Sequence, residues 1–266
     1  MSQSKYTAKA WPRRWCWAAI CLTTAACSAD ALAVEAGQAG MAPLPAHNAI
    51  YEVLRRGDKI GEIHVTLSQA DDGIWRYATE TVATSRLARL LRVSAEESAQ
   101  FVWRDAHVVP LTYRQVARAP TRTRYWQHEI DWTLGVTTTE THEGDLAIPL
   151  EDNLLDPLTL RLQVAVALQD PANRGQDLQF RVLERDEIED QYFYYLEHEP
   201  ADVPAGCFDA IRMQRFRREG SSRNYDSWHA GSFNWLPLRI LQIKDGDPEI
   251  DIRLLSTSIE LGDEDC

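Results

Sequence analysis

The side chains able to do chemistry are present in this chain, but they are not spaced for it. A zinc protease sets two histidines one helical turn apart in H-E-x-x-H, so that both imidazoles reach one ion. His128-Glu129 and His198-Glu199 begin that pattern and lack the second histidine. The seven histidines are scattered, so any metal site would have to be assembled by folding. No G-x-S-x-G places a serine on a strand-to-helix turn, and Gly220-Ser221-Ser222 has the composition of a hairpin turn. Glycoside chemistry needs two carboxylates facing one bond at a fixed separation. The acid clusters here are Glu96-Glu97, Glu151-Asp152 and the run from Asp186 to Asp190. Adjacent residues of a strand face opposite ways, and a charge run reads as solvated surface. Glycine-rich phosphate loops are absent, and no cofactor or metal is expected. A hydrolase with an unrecognised site ranks third, behind two binding readings.

Arginine and tryptophan carry the binding readings. Arg114, Arg118, Arg122 and Arg124 gather around one hairpin, and Arg212, Arg215, Arg217, Arg218 and Arg223 around another. Guanidinium clusters suit phosphate and carboxylate head groups, but cross-strand pairing with nearby acids is the simpler expectation. Trp75, Trp103, Trp126, Trp132, Trp228 and Trp235 suit either a packed core or the wall of a cavity for apolar ligands.

The elements that must position these groups are strands. Ile63, Val65 and Leu67 alternate with polar residues, as do Trp75, Tyr77 and Thr79, and the pattern recurs in Val109/Leu111/Tyr113 and Trp126/His128/Ile130/Trp132. Period two gives each strand one face for a core and one for water. Arg56-Gly57-Asp58, Asp71-Asp72-Gly73 and Asp245-Gly246-Asp247 punctuate the runs as hairpin turns. Later strands are expected over Leu178–Leu183, Gln191–Glu197, Phe208–Phe216, Arg223–Trp228, Leu236–Ile243 and Ile250–Leu255. Two stretches break the rhythm. Thr84–Arg92 sets Leu87, Leu90 and Leu91 on one helical face. Asp156–Gln169 is apolar on most sides, with Asn153 and Asp156 as candidate caps and Pro157 at a first helical position. A strand over this stretch is the alternative.

Residues 1–33 read as a cleavable secretory signal. Lys5, Lys9, Arg13 and Arg14 form a basic head, Trp15–Leu22 an apolar run, and Ala31-Leu32-Ala33 a small-residue exit. The run falls short of the about 20 apolar residues that span a bilayer. Thr24-Ala25-Ala26-Cys27 offers lipid attachment at Cys27 as a minor alternative. Removing the leader leaves 24 basic against 39 acidic groups, a net charge of −15 that argues against nucleic-acid binding. Cys207 and Cys266 remain, and in an oxidising compartment they could pair. The expected organisation is a flexible segment over 34–48, a single β-rich domain over 49–261 and an acidic tail over 262–266.

Several phrases occur in order: Tyr51-Glu52-Val53 with Lys59-Ile60-Gly61, Val109–Tyr113, Ile130-Asp131-Trp132, Leu155–Leu160, Trp228, and Trp235–Ile240. Together they resemble an exported bacterial family known as domain of unknown function 3108. The resemblance implies a secreted or periplasmic β-rich domain and carries over no catalytic residue. More loosely, the layout looks like the half-open barrels of periplasmic lipoprotein carriers of the LolA and LolB type. The expected fold is therefore mainly β: a curved antiparallel meander forming a half-open barrel, with one or two helices on its concave face. The expected function is noncatalytic binding of a lipid, an acyl chain or a hydrophobic segment on that face, at Leu87, Leu90, Leu91, Trp103, Trp132 and Trp228. The alternative is an envelope scaffold or assembly factor that contacts another protein.

Overall fold

The computed structural model describes residues 42–84, 94–216 and 221–262. All of them belong to one compact unit, Gly40–Cys266. The strands follow the period-two runs closely. They are β1 (His47–Arg55), β2 (Asp58–Gln69), β3 (Trp75–Ala83), β4 (Ser94–Arg104), β5 (His107–Ala119), β6 (Arg122–Asp131), β7 (Val136–Thr141), β8 (Gly144–Pro149) and β9 (Leu154–Leu155). After helix α1 (Thr159–Gln169) come β10 (Leu178–Glu184), β11 (Glu187–Val203), β12 (Gly206–Phe216), β13 (Arg223–His229), β14 (Pro237–Lys244) and β15 (Asp247–Thr257). The turns at Arg56-Gly57 and Asp245-Gly246 have positive φ at both central residues (52° and 91°, 53° and 89°). That is the two-residue geometry that matches strand twist, and glycine supplies its second position without strain.

The fifteen strands of the described residues form one sheet in the order β8-β7-β6-β5-β4-β3-β2-β1-β15-β14-β13-β12-β11-β10-β9. Each half is a meander of hairpins, and antiparallel pairing of β1 with β15 joins the halves. The first and last strands therefore lie at the centre, and β8 and β9 are the edges. β9 pairs parallel with β10, which makes the sheet mixed. The sheet curls without closing into a barrel. Near its edges, Arg185 reaches Glu143 at 3.4 Å and Arg181 pairs with Glu151, so the two flanks approach through side chains.

Helix α1 packs against the concave face. Asp156 caps it: Oδ1 accepts from the backbone N–H groups of Leu158 and Thr159, each at 2.8 Å, while Oδ2 accepts from the Thr159 hydroxyl at 2.8 Å. The Asp156 carbonyl accepts the first helical bond, from Leu160 at 3.0 Å, which puts Pro157 where its missing N–H costs nothing. Eight of the eleven helical residues are buried, so the helix is an interior element rather than a strand or a surface rod. Gln163 fixes its angle, accepting from Val108 N–H at 2.8 Å and donating to the Ala106 carbonyl at 3.4 Å across the β4–β5 turn. Leu158, Leu162 and Leu168 complete a core with Leu67, Phe101 and Met213. The second expected helical stretch, with Leu87, Leu90 and Leu91, lies outside the described residues. Among the described residues no helix is long and apolar enough to cross a membrane.

Candidate functional site

Between α1 and the curled sheet the core leaves a chamber of about 380 Å³. Its apolar wall comes from the central strands and the helix: Ile63 on β2, Ile250 and Ile252 on β15, Ile240 on β14, and Leu160 and Val164 on α1. The register explains their assembly: Ile240 lies opposite Ile252, and Ile63 lies opposite Tyr51, which shares parity with Val53, the β1 residue opposite Ile252, so all face one side. The four isoleucines keep part of their surface accessible, as residues facing a void must.

The polar wall comes from the two flanks that the curl brings round to face each other. β4, β5 and β6 supply Glu97, Tyr113, Gln115 and Trp126, while β10, β11 and β12 supply Glu184, Gln191 and Arg215. Arg161 projects from α1 into this side and reaches Glu97 at 3.4 Å. Glu97 also accepts from the Gln115 amide. Burial pulls the Arg161 pKa down, but Glu97 and the hydroxyls of Tyr77, Tyr113 and Tyr51 more than offset it, so the guanidinium stays charged. Burial raises the Tyr113 hydroxyl well above the usual phenol range. His128 stacks on the Tyr113 ring at 5.6 Å, and burial pushes it down to about 4. Among the described residues, no partner reaches the Tyr113 hydroxyl, the Trp126 indole nitrogen or Nε2 of His128.

The nearest approach to a nucleophile–base pair in the chamber is Ser227 with Nε2 of His229, at 2.9 Å. His229 is held down to about 4 by burial and its Nδ1 faces the Trp235 carbonyl at 2.8 Å, not a carboxylate. A base that weak, with no acid behind it, lacks what activates a serine at neutral pH. The pair satisfies two buried polar groups. A larger groove of about 720 Å³ lies outside the chamber, between the β4–β5 turn, α1 and β10. Its rim of Asp152, Asn153, Asp170, Gln179 and Asp190 is exposed and polar, and Val108, Leu155, Val166 and Phe180 also line it.

The expected tryptophans lie elsewhere. Trp103 is half-buried and packs edge-on against Phe101 at 5.1 Å, at the margin of the core rather than in the chamber wall. Trp132 follows β6 in a turn, is 36% exposed and donates to the Pro110 carbonyl at 2.7 Å. Trp228 has the opposite parity to Ser227 and His229 and so faces the convex side. There Arg212 and Arg239 sandwich it at 5.1 and 4.7 Å, and its N–H donates to Glu199 at 2.8 Å. Of the described tryptophans, Trp126 is the one in the chamber wall. Cys207 is disulfide-bonded, and its expected partner Cys266 lies outside the described residues. Of the hairpin arginines, three form ion pairs across strands: Arg118 with Glu96, Arg212 with Glu197, Glu199 and Asp226, and Arg223 with Glu249, while Arg217 and Arg218 lie outside the described residues.

Fold and chamber together define a β-barrel-like half-barrel closed on one side by a helix. The chain belongs to the family described as protein of unknown function (DUF3108), whose model matches residues 49–253. No curated protein matches it. Among solved structures it is similar to a β-barrel-like protein of domain of unknown function DUF1849 from Brucella abortus, at 9% identity and TM-score 0.47, covering 82% of this chain and 98% of that one. It is also similar to a Bacteroides fragilis protein described as exported with a YmcC-like fold, at 9% identity and TM-score 0.34, over 80% and 95% of the two chains. A third is MucB, at 12% identity and TM-score 0.29, over 83% of this chain and 55% of that one.

Proposed function

We propose that this protein is a noncatalytic, exported binding protein of the cell envelope that holds an acyl-chain amphiphile between α1 and the concave sheet. The observation that carries the reading is the chamber itself. Protein interiors pack as densely as organic crystals, yet here isoleucines on β2, β14 and β15 face an unfilled 380 Å³. That volume falls in the range of about 300–1,000 Å³ typical of small-molecule sites. Its walls are divided, aliphatic on one side and hydrogen-bonding on the other, as a chain with a polar head requires. Residues 1–33 supply the export address, and the periplasm is the compartment in which such a chain needs shelter from water.

Native mass spectrometry of protein recovered from the periplasm tests the reading. The expected result is an extractable lipid adduct that Val164→Trp, which fills the chamber, abolishes. A ligand-free mass, or an adduct kept by the filled variant, overturns it. A second reading, a scaffold that contacts another envelope protein, has one observation in its favour. Tyr192, Tyr194, Leu196 and Phe216 are exposed on β11 and β12, and Tyr194 contacts both Tyr192 (6.2 Å) and Phe216 (6.0 Å).

A further inference from the structure

We infer that the chamber takes a carboxylate-headed amphiphile, a fatty acid, and that Arg161 on α1 is the residue that holds its head. The inference rests on the amphiphile-binding reading above and adds the chemistry of the head.

Arg161 is the one charged residue of helix α1, and it lines the chamber. Its guanidinium lies among the core tyrosines Tyr51, Tyr77 and Tyr113, which act on its charge, and burial is the strongest influence on its pKa. Even so, 38% of its side-chain surface is accessible. A side chain set among core residues and still accessible borders an internal space, and the space that Arg161 lines is the chamber. The helix also fixes where an acyl chain would run. Leu160 precedes Arg161 and Val164 follows it by about one turn, and both line the same chamber. A carboxylate that meets Arg161 therefore has the aliphatic wall directly beside it.

The guanidinium is under-engaged. It carries five N–H donors in a planar fork. Among the described residues its one hydrogen bond runs from Nη2 to Oε2 of Glu97, at 3.4 Å. Well-made arginine–carboxylate pairs use two parallel bonds of about 2.7–2.9 Å. The other oxygen of Glu97 accepts from the Gln115 amide, so that carboxylate is shared. Nε and Nη1 of Arg161 have no partner among the described residues and, unlike the Tyr113 hydroxyl, neither is inaccessible. A charge taken out of water is stable only when it is well paired, and the open side of the fork fits a second carboxylate. A phosphate head would bring about two negative charges toward Glu97 and Glu184 of the same wall, where a carboxylate brings one.

Isothermal titration of the purified protein at neutral pH, with submicellar laurate and with monolauroylglycerol, holds the chain length constant and changes the head. The ester should bind through its chain, and laurate at least about tenfold tighter through hydrogen bonds to a charged group. Arg161→Gln should bring the two affinities to within about threefold of each other. Glu97→Gln keeps an acceptor for the Gln115 amide and removes the charge that competes for Arg161. It should tighten laurate binding by about threefold or more, which tests the assignment even where the Arg161 variant does not fold. The ester bound as tightly as laurate, a laurate preference kept in folded Arg161→Gln, or laurate affinity unchanged or lower in Glu97→Gln overturns the head-group assignment and leaves the chamber reading standing. Binding of neither probe overturns the chamber reading itself.

Discussion

Replacing Asp156 by asparagine isolates the electrostatic cost of capping α1 from inside the core. Asp156 is fully buried, and burial raises its pKa from 3.8 to about 6, although hydrogen bonds from Thr159 and Leu158 work against the rise. Because the folded-state value lies above the unfolded one, the folded protein binds this proton more tightly. Stability from this group is complete below about pH 4 and is lost as pH rises through about 6. The gap between the two values corresponds to about 3 kcal/mol, as an order of magnitude. Asparagine keeps the Oδ1 acceptor for the N–H groups of Leu158 and Thr159 and carries no charge at any pH. Urea unfolding of both proteins at intervals from pH 4 to pH 7.5 measures the difference. The asparagine variant should gain about 2–3 kcal/mol on the parent across that range. His47, His128 and His229, whose values burial lowers, remove stability as pH falls. They act in both proteins and cancel in the difference. A difference that stays constant with pH would refute the argument, because it would mean Asp156 titrates alike in the folded and unfolded chains.

Three further outcomes follow from the packing. Tyr113→Phe should leave the ligand-free protein as stable as the parent or about 1 kcal/mol more stable, since it removes a buried hydroxyl with no partner; urea midpoints report it, and a loss of that size would mean the hydroxyl is bonded. Gly61→Ala should cost about 1–3 kcal/mol, because a Cβ there would lie 2.8 Å from the Val82 carbonyl oxygen and press β2 away from β3; an unchanged unfolding midpoint contradicts this. Trp228→Phe should lower stability by about 1–2 kcal/mol through the lost Glu199 bond and weaker arginine stacking, while leaving amphiphile affinity within twofold. A large affinity loss would move Trp228 to the binding face.

Much of the architecture was legible because it is written in local patterns. Period-two runs and Gly-containing turns located the later strands to within three residues at each end, except β11, which runs from Glu187 to Val203 rather than Gln191 to Glu197, and Asp156-Pro157 marked the start of α1. The pairing of β1 with β15 was not legible, because nothing local records which strands meet at a distance of two hundred residues. The site was legible only in part, because parity along one strand does not say which face is concave. Trp228 looks like a wall residue from its size, yet it shares parity with Asp226, and the arginines opposite it on β12 and β14 cover it on the outside. Glu97 carried a usable signal: it shares parity with Ala99 and so belongs with the inward set. Arg161 carried another, as the lone charge in a mostly apolar helix.

Photo-crosslinking with a lauroyl ester bearing a diazirine near the end of its chain tests the central claim most directly, with the modified residues mapped by peptide mass spectrometry. The chamber account predicts label on Ile63, Leu160, Val164, Ile240 and Ile252, lost on competition with unlabelled monolauroylglycerol. Label confined to the exposed Tyr192, Tyr194, Leu196 and Phe216 on the convex face would contradict it and place the hydrophobic contact of this protein on its outside.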